Sequence, residues 1–220
     1  MGESGLFLVS LGLPCCGKST VMSELGKLIG IDVFLEPEEP EWGQAVMERD
    51  ICGHFTGLMW FRSVRVPMLY QAQQLVKSGK SVITDTYYDK VLHHYIGKPG
   101  MEWLIDPKDK FFEVAKQIAE LDWLSLPLPT CVITFEIDYD IWLTLLKKRN
   151  RQLDKNEAFL KSFHTQNYFI DAGIRLAEQF GVEHIHFHPK LSSAKEQAVE
   201  LLKILKTKNV VKDKIFSKTS

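Results

Sequence analysis

Residues 12–19 read Gly-Leu-Pro-Cys-Cys-Gly-Lys-Ser, with Thr20 next, a complete match to G-x-x-x-x-G-K-[ST]. The chemistry this spacing supports is the cradling of a nucleotide polyphosphate. Glycines let the backbone curl until successive N–H groups and a helix N-terminus face one anion, so that hydrogen bonds and the helix dipole add. Gly12, Leu13, Pro14, Cys15, Cys16, Gly17, Lys18, Ser19 and Thr20 are therefore the candidate nucleotide-binding residues. Lys18 is expected to reach the β and γ phosphates and Ser19 to hold Mg²⁺, with Thr20 as a neighbouring helper. A turn that only capped a helix would need neither the lysine nor the serine. Cys15 and Cys16 fall at variable positions and read as small loop residues, the other reading being oxidation-sensitive thiols at a helix start.

Other charged residues stand where such a loop could use them. Glu36-Pro37 closes a short apolar run, which places a carboxylate where strand ends of an open α/β sheet meet a ligand crevice. The alternative is a solvated member of the cluster Glu36, Glu38, Glu39 and Glu41. Asp85 ends another apolar run, as a carboxylate near Mg²⁺ or as a strand-end cap. The run Lys147, Lys148, Arg149 and Arg151 reads as a phosphate clamp or as a solvated helix face. His93, His94, His184, His186 and His188 lack suitably spaced cysteine or acidic partners, so metal ligation by them is not expected. Trp60 and Phe61 read as core ahead of base stacking.

The elements that would position these residues follow from the pattern. Residues 6–11 form an apolar run that suits a buried parallel strand ending at Gly12. Val21, Met22, Leu25, Leu28 and Ile29 recur at helical spacing up to Gly30. Strands are expected at 32–35, 81–84, 131–135 and 184–187. Helices are expected at 57–77, where Pro67 threatens a kink, and at 108–124, 156–180 and 193–205. A further helix is expected after Asp138, and residues 97–130 are read as carrying substrate-facing loops. Strands alternating with helices argue for a parallel sheet covered on both faces.

The 220 residues are 45% hydrophobic, enough for one core, so residues 1–206 read as one domain and 207–220 as a polar, frayed tail. With 27 basic against 28 acidic residues, no global field favours a nucleic acid polymer or an anionic membrane. A small-molecule partner is expected. No secretion signal or membrane-spanning run is read, and the myristoylation pattern lacks its serine or threonine at position 6. Cysteines 15, 16, 52 and 131 show no metal spacing, and a reducing cytoplasm fits them.

The order of these features resembles the deoxynucleoside kinase family and its thymidylate kinase relatives. The features are the glycine loop, Glu36-Pro37 with Trp42 soon after, a strand ending in Asp85, and the late segment Lys147-Lys148-Arg149-Asn150-Arg151. The resemblance spans about residues 5–190. It implies an α/β three-layer P-loop NTPase fold, a parallel sheet flanked by helices with a helical lid, and Mg-ATP as donor. It also implies that Glu36 accepts a proton from a nucleoside 5′-hydroxyl and that Trp42 lies beside the sugar or base. Arg149 and Arg151 would belong to a lid over ATP, and a homodimer is expected. The chain departs where the family carries an acid-arginine pair, since Asp85 is followed by Thr86-Tyr87-Tyr88. No base-reading glutamine stands in Met59-Trp60-Phe61-Arg62, and Arg62 or Arg65 is the candidate near the acceptor.

The expected activity is transfer of the γ-phosphoryl group of ATP to a (deoxy)nucleoside. The alternatives are a nucleoside monophosphate kinase of thymidylate type or a kinase for another small molecule. A nucleotide-controlled switch is the non-enzyme alternative, although no Asn-Lys-x-Asp segment is present.

Overall fold

The computed structural model describes residues 5–151, 157–189 and 192–211. Its sheet has five parallel strands: β1 Phe7–Gly12, β2 Asp32–Phe34, β3 Val82–Thr84, β4 Cys131–Phe135 and β5 Glu183–Phe187, in spatial order β2-β3-β1-β4-β5. The three central strands are buried at every position. That matches their largely apolar sequence, interrupted only by the buried Ser10, Thr84 and Thr134, and their cover on both faces. The register aligns Val9 with Thr84 and with Val132, so β1, β3 and β4 deliver their C-terminal ends to one edge. The chain order reverses at β1, and the crevice outside that edge is where such sheets bind ligands.

Helix α1 (Lys18–Ile29) buries Val21, Met22, Leu25 and Ile29 and stops at Gly30, whose φ of 66° is left-handed. Short helices α2 (Gln44–Met47) and α3 (Arg49–Cys52) lead into α4 (His54–Lys77), followed by α5 (Tyr88–Val91), α6 (Phe112–Ser125) and α7 (Tyr139–Arg149). Then come α8 (Glu157–Leu160), α9 (Gln166–Phe180) and α10 (Ala194–Thr207), capped by Ser193 and Glu196 in a reciprocal box. Helices α1 and α10 pack together, α4 lies on β1 and β3, and α9 lies on β1, β4 and β5. The result is the expected helix-sheet-helix layering.

Three expectations are corrected. Helix α4 starts three residues before 57 and runs through Pro67 as one element. Residues 108–111 lie outside α6 because Asp106 and Asp109 accept the backbone N–H groups of Lys108 and Phe111, holding turns there. The helix expected at 156–180 is divided: α8, a 3₁₀ turn at Lys161–Thr165, then α9. Ser162 Oγ donates back to the Phe159 carbonyl and Gln166 Oε1 accepts from Ile137 N–H, so local and tertiary polar bonds replace the helical ladder. Asn156 lies outside the described residues. Beyond α10, Val211 is buried and Val210 N–H donates to the Leu205 carbonyl. Residues 212–220 lie outside the described residues.

Candidate active site

The loop after β1 has the backbone its glycines allow. Gly12 has φ 149°, and a Cβ there would sit 2.8 Å from the Phe135 carbonyl oxygen; Gly17 caps α1 at φ 88°. Cys15 holds the left-handed region at φ 65° without being glycine. The loop is propped from two sides, by Trp142 Nε1 donating to the Pro14 carbonyl (2.9 Å) and Tyr88 Oη donating to the Gly12 carbonyl (2.7 Å). Pro14, Cys15, Gly17, Lys18, Ser19 and Thr20 line a cavity of about 570 Å³. Leu13 and Cys16 are buried beneath it, so their side chains serve the loop's packing.

Lys18 Nζ donates to the Gly12 and Leu13 carbonyls at 3.1 and 2.8 Å. Burial works against its charge, but the neighbouring Cys16, Tyr88 and Glu36 outweigh it and the pKa is raised. The ammonium is held charged at the cavity floor. Burial pushes the Tyr88 hydroxyl up to about 12, which keeps it a donor to the loop.

Glu36 and Asp85 meet from adjacent strand ends. The Glu36 N–H donates to Asp85 Oδ1 at 3.0 Å, and both side chains line the cavity. Burial first, then the Glu36 charge, raise the Asp85 carboxyl to about 6 against the stabilising Ser19 hydroxyl, Glu36 N–H and Lys18. The Ser19 hydroxyl and the Asp85 carboxylate beside it are hard oxygen donors of the kind Mg²⁺ takes. Among the described residues no group of three or more His, Cys, Asp or Glu could hold a metal. A magnesium carried largely by substrate phosphates and water does not need one.

Arg65 lines the cavity beside Glu36. Its Nε and Nη2 form a fork on Asp89 at 2.7 and 3.1 Å, and Nη1 reaches Glu36 Oε1 at 3.1 Å. The guanidinium lies over the Phe61 and Tyr88 rings, 5.2 and 5.5 Å from their centroids. Burial opposes its charge, yet Asp89 foremost and Glu36 next raise its pKa. Asp89→Ala leaves this buried guanidinium without its bidentate partner and is expected to cost about 3–5 kcal/mol, read as a lower thermal midpoint.

The two candidate arginines therefore separate. Arg65 faces the cavity, whereas Arg62 is turned away into a pair of 2.7 Å bonds with buried Asp122 and does not line it. Trp42 lines the cavity, donates Nε1 to the Pro37 carbonyl (2.9 Å) and meets Phe61 edge-on. Phe61 also lines the cavity, unlike Trp60. Arg149 and Arg151 both line it, but Arg151 is ion-paired with Glu38 rather than standing over the loop. Leu58, Tyr95, Met101, Trp103, Leu104 and Phe169 form its apolar wall, and Met101, Trp103 and Leu104 place part of the 97–130 segment at the site.

Sequence reasoning missed Asp89 and Tyr88. An acid in the first turn of a helix just after a β3 end was the available sign for Asp89.

A glycine-rich loop between β1 and α1, with acids at the ends of β2 and β3, stands on a five-stranded parallel sheet flanked by helices. Among solved structures the chain shares this fold with thymidylate kinase from Candida albicans, at TM-score 0.63 and 18% identity over 96% of each chain. It also shares it with deoxyadenosine kinase from M. mycoides in two structures. With bound dATP the TM-score is 0.66 at 17% identity, over 91% of this chain and 100% of that one. With the products dCMP and a flexible dCDP it is 0.60 at 18%, over 92% and 100%. No protein-family model and no curated protein sequence matches the chain.

Proposed function

We propose that this protein is an ATP-dependent phosphotransferase whose preferred acceptor is a (deoxy)nucleoside 5′-hydroxyl. The observation that carries the reading is one cavity with Lys18, Ser19 and Asp85 at its phosphate-loop end and the Glu36 carboxylate, fixed by Arg65, at the start of its apolar lobe. Nucleotide would lie with its phosphates on the loop N–H groups and Lys18. Mg²⁺ at Ser19 and Asp85 would neutralise phosphate charge. Glu36 takes the acceptor proton, and Arg149 with Arg151 offsets charge that develops during transfer. The aromatic wall supplies a stacking surface for a base.

A specific observation favours the second reading, a monophosphate acceptor. Arg49 lines the cavity and is half-buried, and burial lowers its pKa with only Asp50 opposing. It ion-pairs with no carboxylate among the described residues, which suits an anionic group on the acceptor. The discriminating measurement is product analysis with Mg-ATP and a panel of nucleosides and their 5′-monophosphates. A phosphorylated nucleoside is the expected product. Bound nucleotide or inorganic phosphate alone would mark a switch and sink the kinase reading.

No helix among the described residues is long and apolar enough to cross a membrane, and a cytoplasmic setting is proposed from the free cysteines. The proposed homodimer draws support from Val114, Leu121 and Leu124, exposed on α6. Helix α4 instead uses Leu58, Leu69 and Ala72 inside the core.

A further inference from the structure

Arg151 lies just beyond α7, and its side chain is 16% exposed. It ion-pairs with Glu38, stands 4.0 Å from Glu39, and its guanidinium sits 5.3 Å from the centroid of the Trp42 ring. Trp42 is bonded to Pro37 and packs on Phe61. The loop that begins at the acceptor carboxylate Glu36 thus holds, through three of its residues, an arginine of the phosphate-neutralising segment. Carboxylate and phosphate compete for the same guanidinium donors, because each is best bound by the planar fork.

We propose that Glu38 and Glu39 are positioning residues that hold Arg151 over Trp42 and yield it to the nucleotide phosphates, so that donor binding releases the loop beside Glu36. The proposal rests on the nucleotide-binding reading above. It makes the two halves of the cavity thermodynamically coupled: breaking the carboxylate pair opposes nucleotide binding, and by reciprocity bound nucleotide loosens the acceptor-side loop. Glu38 is 67% exposed and Glu39 25%, so solvent screening limits the effect to roughly threefold to fivefold in affinity.

The test is calorimetric binding of a Mg²⁺-bound, non-hydrolysable imido analogue of ATP to four proteins. These are the wild type, Glu38→Gln/Glu39→Gln, Arg151→Ala and the triple variant. The glutamine pair is expected to tighten binding roughly fivefold when Arg151 is present and to leave it unchanged in the Arg151→Ala background. Equal tightening in both backgrounds would mean simple removal of negative charge and overturns the proposal, as does weaker or unaltered binding with Arg151 present. A wild type that does not bind the analogue defeats the nucleotide reading itself, whereas binding without dependence on Arg151 defeats the positioning role alone.

Discussion

Lys18→Ala is expected to lower phosphoryl transfer by a factor on the order of 10² to 10³ while leaving a folded protein. The ammonium sits at the cavity floor with Ser19 and Asp85 beside it in the same lining, and in the proposed mechanism it is the charge that meets the β and γ phosphates as negative charge develops in transfer. Its loss therefore raises the transition state more than the bound ground state. The fold survives because neither loop carbonyl it serves is orphaned. The Gly12 carbonyl still accepts from Tyr88 Oη at 2.7 Å, and the Leu13 carbonyl still accepts from Cys16 N–H at 3.3 Å. Leaving a buried acceptor bare would have cost about 1–3 kcal/mol; here each keeps a donor. Steady-state kinetics of the variant alongside its thermal melt checks both halves. Turnover close to wild type in a folded Lys18→Ala protein removes the phosphate loop from the mechanism.

The parts of this site that were legible in the sequence are those written by local rules. The run Leu6 to Leu11 announces a buried strand, found at Phe7–Gly12, the glycines at 12 and 17 announce the loop, and Gly30 announces a helix end. Glu36 and Asp85 could be placed because a carboxylate closing an apolar strand necessarily reaches the C-terminal edge of a parallel sheet. The pairings were not legible. Arg65 and Asp89 are 24 positions apart and Arg62 and Asp122 are 60 apart. Which of two arginines, three positions apart on α4, turns toward the cavity depends on how α4 is rotated against β3 and α6. Periodicity fixes an apolar stripe to no better than the angle between such neighbours. Arg151 shows the same limit. Its sequence neighbours make it part of a basic run, yet its partner comes from the acidic cluster Glu38 and Glu39, brought to it by the sheet. The broken helix before α9 was hidden for a different reason: the buried Ser162 and Gln166 make polar bonds that an apolar periodicity does not register.

Glu36→Gln is expected to cost about 10² to 10⁴ in the rate of transfer to a nucleoside with little change in ATP affinity. The substitution keeps the shape and leaves Oε1 as an acceptor for Arg65 Nη1, so the side chain stays where the 3.1 Å bond holds it. Arg65 itself remains forked on Asp89. What disappears is the proposed base. One electrostatic side effect has a definite sign: the Glu36 charge is among the causes that raise Asp85 to about 6, so the variant's Asp85 titrates at lower pH. Below pH 6 the variant thus holds more ionised Asp85 than the wild type, which would mask part of the loss. At pH 8 the carboxylate is ionised in both, and the comparison reports Glu36 alone. A monophosphate acceptor already carries its nucleophilic oxygen as an anion and needs no proton removed, so the same variant should then lose rate only through weaker positioning. Measuring kcat/KM at pH 8 for a nucleoside and its 5′-monophosphate, in wild type and Glu36→Gln, separates the cases. A large loss confined to the nucleoside supports Glu36 as base. Wild-type activity on the monophosphate alone, with a mild effect of the variant, moves the acceptor assignment to the monophosphate and reduces Glu36 to a positioning residue.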